Sequence, residues 1–150
     1  MGISSKQGKQ ETFRWVESNK ENIHTILDIG AGSGTYHTLL SPIKEFNWIG
    51  VEAWPAYIDE FSLHSKYNTL YNVDIRHFDW SNITSDLTIA GDVLEHVTKD
   101  EAIQLVDKIL DHTKTLIISI PIVHMPQDEI NGNPYEVHVK DDWSHNEVLE

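Results

Sequence analysis

The run Ile-Leu-Asp-Ile-Gly-Ala-Gly-Ser-Gly at residues 26–34 constrains the fold more than any other part of this chain. A short apolar segment is followed by glycines at three alternate positions, which is typical of a buried parallel strand that turns sharply into a helix. Glycine lets the backbone adopt positive φ and approach a ligand without a Cβ atom in the way. Because open α/β sheets bind ligands at the carboxyl ends of their strands, the run predicts a ligand site directly after this strand.

The spacing of the glycines and the acid before them narrow the class of ligand. A dinucleotide-binding turn has the spacing G-x-G-x-x-G, but the position where its third glycine would fall holds Thr35. Asp28, two residues before Gly30, is unfavourable beside a pyrophosphate and suits a cation. The turn therefore argues against a nucleotide-dependent oxidoreductase and favours a positively charged ligand.

In its E/D-x-G-x-G-x-G form, this run resembles the first motif of the class I S-adenosylmethionine-dependent methyltransferases. The resemblance extends over about residues 24–150 and implies S-adenosylmethionine as the cofactor. In that case Asp28 would face the methionine ammonium, and the glycine-rich backbone would shape the wall of the pocket.

Acids near the ends of later strands supply the rest of the predicted cofactor site. Glu52, 18 residues after Gly34, can accept hydrogen bonds from both ribose hydroxyls; an exposed strand-end acid is the alternative. Asp74 and Ile75 resemble the family's adenine-edge pair, and Asp79 in the same loop could serve instead. The cofactor-binding residues that the resemblance implies are Asp28, Gly30, Ala31, Gly32, Ser33, Gly34, Glu52, Ala53, Asp74, Ile75 and Asp92.

Apolar runs of strand length alternate with helical patterns along the chain. The predicted strands cover residues 24–29, 48–51, 70–73, 87–90 and 115–120. The predicted helices cover residues 10–22 and 35–40, begin at Pro55, and begin again behind a capping box at residues 98–101. This alternation predicts an α/β fold with a doubly wound, mostly parallel sheet in a single domain over residues 9–150, after a disordered lead at residues 1–8.

The resemblance implies a Rossmann-like sheet of about five strands in the order 3-2-1-4-5, without the final antiparallel hairpin that the family usually has. After the fifth strand we expect a long loop at residues 121–142 and a last helix capped by Ser144. The apolar fifth strand then lies at an edge, and apolar edges invite pairing. A second copy, a partner protein or the 121–142 loop is therefore expected to cover it.

The segment Asp-Val-Leu-Glu-His at residues 92–96 follows the fourth strand on the acceptor side of the predicted crevice. Asp92, Glu95 and His96 stand at i, i+3 and i+4, so that one helical turn would point them the same way. His138 lies further on, before Trp143 and a serine. Similar residues in ubiquinone-biosynthetic and small-RNA 2′-O-methyltransferases hold a divalent metal at the acceptor oxygen, although those proteins usually carry Glu where this chain has Asp92.

The resemblance thus implies catalytic and possible metal-ligating roles for Asp92, Glu95, His96 and His138. Two other interpretations stay open. Many metal-free relatives also carry Leu-Glu-His here, where the two polar residues fix the loop, and His96, His138 or His124 could act as a metal-free general base because histidine titrates near neutral pH.

Composition excludes several other classes of function. The net charge of −13, from 11 basic and 24 acidic residues, repels polyanions and disfavours a nucleic-acid partner. The absence of cysteine excludes disulfides, thiolate zinc sites and a cysteine nucleophile. No apolar stretch approaches the ~20 residues of a membrane span, and the first residues lack a signal peptide's apolar core, so we expect a cytoplasmic protein without a membrane partner.

The leading hypothesis is a methyltransferase that uses S-adenosylmethionine to methylate an oxygen, or a nitrogen, of a small-molecule acceptor. The alternative is a non-catalytic module with the same fold that binds the cofactor or a partner without turnover. The acceptor itself cannot be inferred from the sequence, because loops and insertions build acceptor pockets.

Overall fold

The computed structural model describes residues 8–91 and 93–119 of the chain. Its helices are α1 (Lys9–Asn19), α2 (Thr35–Leu40), α3 (Pro55–Glu60), α4 (Leu63–Lys66) and α5 (Lys99–Leu110). Its strands are β1 (Thr25–Ile29), β2 (Asn47–Val51), β3 (Thr69–Tyr71), β4 (Ser85–Gly91) and β5 (Thr113–Ser119). Single 3-10 turns occupy Lys20–Asn22, Ile75–His77 and Leu94–His96. The predicted loop at 121–142, the helix capped by Ser144 and residues 1–7 of the predicted lead lie outside the described residues.

The five strands form one parallel sheet in the order β3-β2-β1-β4-β5, which confirms the predicted topology. Within it β1 is central, and Asp28 pairs with Gly50 of β2 and Ile89 of β4. Side chains on the two faces of β1 enter two separate apolar clusters, one containing Ile26 and the other containing Leu27. Burial on both faces explains the nearly continuous apolar character of these strands.

Most elements begin or end one to three residues from their predicted bounds, and two of the departures have a cause in local hydrogen bonding. Strand β3 ends at Tyr71 rather than at residue 73, because the Asn72 side chain turns away to bind main-chain carbonyls of the β2–α3 turn. The helix that begins at Pro55 breaks at Ser62, which adopts φ 53°. The carbonyl of Ser62 accepts a hydrogen bond from the Ser65 hydroxyl in α4. By contrast the capping box of α5 is confirmed, with reciprocal bonds between Thr98 and Glu101.

Strand β5 pairs with β4, and among the described residues no other strand joins it. Its apolar side chains are half-buried, with Leu116 and Ile118 against one cluster and Ile117 against the other. The expectation that a further chain segment or partner covers this edge stays a prediction. In the described part of the chain, no helix has the length and apolar character needed to cross a bilayer.

Asp86, the second residue of β4, joins strands at the end of the sheet where they begin. Its Oδ2 atom accepts hydrogen bonds from the backbone N–H groups of His24 at 2.8 Å and Thr25 at 3.0 Å. The Lys114 ammonium lies 3.2 Å from Oδ1. Burial alone would raise the pKa of Asp86, but these donors outweigh it and hold the pKa below its usual value. The carboxylate therefore stabilises the start of three adjacent strands.

Gly91, the last residue of β4, leaves the space that the ring of Tyr36 occupies. A Cβ atom at Gly91 would lie 2.2 Å from Cε2 of Tyr36, and that ring is 3% exposed and closely packed. We expect Gly91→Ala to lower the free energy of unfolding by about 2 kcal/mol through overpacking, as measured by urea denaturation. Adding Tyr36→Ala should make the combined loss smaller than the sum of the single losses; strictly additive losses would contradict the steric explanation.

Candidate active site

The glycine-rich turn after β1 is shaped by backbone hydrogen bonds to β2. The N–H groups of Gly30 and Ala31 donate to the carbonyl of Val51 at 2.9 and 3.1 Å. The three glycines of the turn all adopt positive φ, at 67°, 57° and 79°. This conformation strains any residue with a Cβ atom, so the glycines are required for the path of the chain. The turn places its backbone at the carboxyl edge of the sheet.

Glu52, directly after β2, is 3% exposed and is fixed against this turn. Its Oε1 atom accepts from the N–H of Gly32 at 2.7 Å, and its Oε2 atom accepts from the N–H of Trp54 at 2.8 Å. An ionised carboxylate has about four lone-pair sites, so each oxygen can accept one more donor. Glu52 is therefore a positioned acceptor with capacity for two hydroxyl groups, and it is not the exposed strand-end acid of the alternative interpretation.

Asp28 is 1% exposed near the end of β1, and its carboxylate accepts a hydrogen bond of 2.5 Å from the hydroxyl of Tyr67. The pKa of Asp28 is raised to about 7, because burial raises it more than the Tyr67 hydroxyl lowers it and the nearby charge of Glu52 raises it as well. Two buried acids thus lie at the edge where β1 and β2 end. Such a concentration of negative charge suits a cationic ligand.

Asp74 lies three residues beyond β3 and caps the 3-10 turn Ile75–His77. Both its carboxylate oxygens accept from the Arg76 guanidinium, at 2.7 to 3.2 Å, and Arg76 also reaches Glu101 of α5 at 3.3 Å. Burial alone would raise the pKa of Asp74, but the bonds from Arg76 outweigh it and lower the pKa. Asp74 is therefore anionic and held rigidly, while Ile75 belongs to an apolar cluster of the core.

Glu95 and His96 follow β4 in a 3-10 turn rather than in the α-helical turn implied by their spacing. Glu95 is 1% exposed, and its Oε1 atom lies 3.7 Å from Nε2 of His96. Asp92, His124 and His138 lie outside the described residues. Within residues 8–91 and 93–119, the structure brings together no group of three side chains able to hold a metal ion.

Three residues that sequence analysis did not identify complete the arrangement. Tyr67 donates to Asp28, Arg76 binds Asp74, and Asn72 donates to the carbonyls of Glu52 and Ala53 at 2.9 and 3.1 Å. The Asp-x-Arg spacing is a local signal for the Arg76 contact, because Asp side chains commonly bind the backbone two residues on. Tyr67 lies 39 residues from Asp28 and left no such signal.

Comparison with known proteins places the fold. A family model described as "Methyltransferase domain" matches residues 27–118. A small RNA 2′-O-methyltransferase from Arabidopsis thaliana is 30% identical over 137 residues, which cover 78% of this chain and 14% of that protein. The match therefore concerns a small part of the plant protein.

Solved structures share this fold at low sequence identity. The sugar N-methyltransferase KedS8 from Streptoalloteichus superposes with a TM-score of 0.63 and 18% identity, over 81% of this chain and 52% of that one. The N-terminal domain of EvdMO1, with S-adenosylhomocysteine bound, gives a TM-score of 0.70 and 15% identity, over 97% of this chain and 69% of that one. This chain thus spans about half the length of KedS8. Because the family model covers more than half of its residues, the chain belongs to the methyltransferase domain family, with the Rossmann-like sheet of the S-adenosylmethionine-dependent members.

Proposed function

We propose that the chain binds S-adenosylmethionine at the carboxyl edge of its sheet and transfers the methyl group to an oxygen or nitrogen of a small molecule. The observation that carries this proposal is Glu52, a buried carboxylate fixed by the N–H groups of Gly32 and Trp54 beside the glycine-rich turn. Glu52 is an acceptor suited to the two adjacent ribose hydroxyls, and a ligand can closely approach the backbone of the glycine-rich turn beside it.

Each element of the site has a distinct role in this proposal. Asp28 faces the methionine ammonium, Glu52 accepts from the ribose, and Asp74 and Ile75 border the adenine. The backbone of residues 30–34, which holds Ala31, Ser33 and the three glycines, forms the wall of the pocket. When bound, S-adenosylmethionine supplies an activated methyl group on a sulfonium, so the protein's main contribution is positioning.

Deprotonation of the acceptor is assigned to the segment after β4. His96 lies beside the buried carboxylate of Glu95, with 3.7 Å between Nε2 and Oε1. Histidine is the side chain that most often acts as a general base in enzymes. His96 is therefore our preferred general base, and His138 and His124 are the other candidates.

A divalent metal at the acceptor is the further possibility implied by Asp92, Glu95, His96 and His138. Carboxylate and imidazole donors suit several divalent ions. Glu95 and His96 are the members of this set among the described residues, which form no cluster of three ligands.

A second acceptor, the ribose 2′-oxygen of RNA, is favoured by the plant relative, whose name describes a small RNA 2′-O-methyltransferase. The net charge of −13 opposes it, because RNA binding rests largely on contacts between basic residues and phosphates. We therefore place RNA after a small-molecule acceptor.

Calorimetry with S-adenosylhomocysteine tests cofactor binding, with one site per chain as the expected result. Conversion of S-adenosylmethionine to S-adenosylhomocysteine, followed by mass spectrometry, then tests transfer to hydroxylated small molecules, amines and short RNAs. Turnover on small molecules supports the proposal, turnover on RNA alone supports the second acceptor, and binding without turnover supports the non-catalytic module. No binding would contradict both methyltransferase proposals and support a module that binds a partner instead of the cofactor. Repeating the assay with EDTA and with Mg²⁺ or Mn²⁺ restored tests the metal.

A further inference from the structure

Tyr67, directly after α4, places its hydroxyl group beside Asp28 of β1 at the candidate site. Tyr67 is 4% exposed, Asp28 is 1% exposed, and the hydroxyl donates to Oδ2 of Asp28 at 2.5 Å. Because both groups are buried, water cannot readily replace either partner, and loss of the donor would leave the carboxylate less well satisfied.

The surrounding fold holds Tyr67 in this place. Gly50 of β2 has no side chain where the ring lies, and a Cβ atom there would be 2.8 Å from Cδ1 of Tyr67. The rings of Trp48 and His37 pack against it, with centroids 6.0 and 5.4 Å away. The backbone N–H of Tyr67 donates to the carbonyl of Leu63 at 3.0 Å. The direction of the hydroxyl is thus set by β2, α2 and α4 together.

Some of the groups around Asp28 raise its pKa and others lower it. Burial and, to a smaller extent, the charge of Glu52 raise its pKa, the Tyr67 hydroxyl lowers it, and the net result is a pKa of about 7. On the β4 side the paired residue is Ile89, which carries no charge. His37 lies behind the Tyr67 ring, and the Lys66 ammonium donates to the Ser33 carbonyl at 3.3 Å. Among these neighbours, Tyr67 is the one that bonds directly to the carboxylate.

We propose that Tyr67 is a positioning residue whose hydroxyl holds the Asp28 carboxyl group in place and favours its anionic form, ready to receive the cationic ammonium at the methionine end of the cofactor. This inference rests on the proposed function and deepens it. Near neutral pH, binding of the cationic ligand drives the remaining protonated Asp28 to release its proton to solvent, so affinity falls as the pH is lowered.

The test is the pH dependence of S-adenosylhomocysteine binding to wild type and Tyr67→Phe, measured by calorimetry from pH 5.5 to 8.5. Loss of a hydrogen bond to a charged group should move the midpoint upward by about one to two pH units. The variant should then bind roughly tenfold more weakly at pH 7 and about twofold more weakly at pH 8.5. Tyr71→Phe, which removes a hydroxyl from the 38% exposed side chain on β3, is the matched control and should follow wild type.

A second measurement separates this inference from the proposed function. Carbon-13 NMR titration of the Asp28 carboxyl in ligand-free protein, assigned with Asp28→Asn, should show the same upward shift in Tyr67→Phe. An unchanged Asp28 midpoint, or a binding deficit equal at every pH, would overturn the role of Tyr67. A shifted NMR midpoint in a protein that binds no adenosyl compound would support Tyr67's control of Asp28 and refute the proposed function. Thermal unfolding of each variant verifies that it is folded.

Discussion

Replacing Glu52 by alanine is expected to abolish measurable adenosyl binding and to destabilise the fold. The N–H groups of Gly32 and Trp54 lose the carboxylate that accepts from them in a largely buried setting. Leaving these two donors without their charged acceptor should lower the free energy of unfolding by about 2–4 kcal/mol in total. The ribose would lose two charge-assisted bonds, which corresponds to roughly 100-fold or more in affinity. Urea denaturation and calorimetry with S-adenosylhomocysteine measure the two effects.

Two further variants show whether these losses arise from the geometry of Glu52. Glu52→Gln keeps one acceptor oxygen and places an amide NH₂ against the other donor, so we expect an intermediate loss of stability and a large loss of affinity. Glu60→Ala removes the same charge from an exposed site at the end of α3 and should behave as wild type. If Glu52→Ala binds S-adenosylhomocysteine like wild type, Glu52 is not part of the cofactor site.

Asp28→Asn is expected to make the protein more stable than wild type at pH 8, while weakening adenosyl binding. Folding raises the pKa of Asp28 from 3.8 to about 7, so the folded state retains a proton that the unfolded state has released. In wild type the stability contributed by this group is fully present below about pH 4 and is lost as the pH rises towards 7. The asparagine does not titrate. Its advantage should therefore grow over this interval and reach at most about 4 kcal/mol.

Urea denaturation of both proteins from pH 5 to 8 measures this advantage as a difference, which removes the contribution of other titrating groups. Asp86→Asn is the matched control with the opposite sign, because the pKa of Asp86 is held below its usual value. That variant should be less stable than wild type by a constant amount from pH 5 to 8, and its deficit should shrink only in measurements extended below about pH 4. A constant difference between Asp28→Asn and wild type at every pH would show that Asp28 does not titrate in this interval.

The sheet could be predicted from sequence because its strands are short, apolar and separated by helical patterns. The order around β1 followed from the resemblance carried by the glycine-rich turn. Errors arose where a side chain competes with the backbone pattern. Asn72 ends β3 early by bonding to the adjacent turn, and Ser62 divides one predicted helix into α3 and α4. These bounds depend on contacts with neighbouring segments, which the local hydrophobic pattern does not show.

The candidate site divides in the same way. Gly30, Asp28 and Glu52 are close in sequence to the turn or strand ends that place them, so a local motif could indicate them. The hydroxyl of Tyr67 reaches Asp28 across 39 residues, and Arg76 reaches Glu101 across 25. Those contacts join the residue after α4 to β1, and the 3-10 turn after β3 to α5. They therefore became visible only with the tertiary structure.

Asp86 and its donors lie at the end of the sheet opposite to the glycine-rich turn. The contacts that join the strands there are therefore separate from the residues of the candidate site. The bonds from His24, Thr25 and Lys114 tie strand beginnings, whereas Asp28 and Glu52 crowd like charge at strand terminations. Stabilising substitutions at the amino end of the sheet could therefore offset the repulsion between Asp28 and Glu52 at the carboxyl end. They would leave every group assigned to the ligand unchanged.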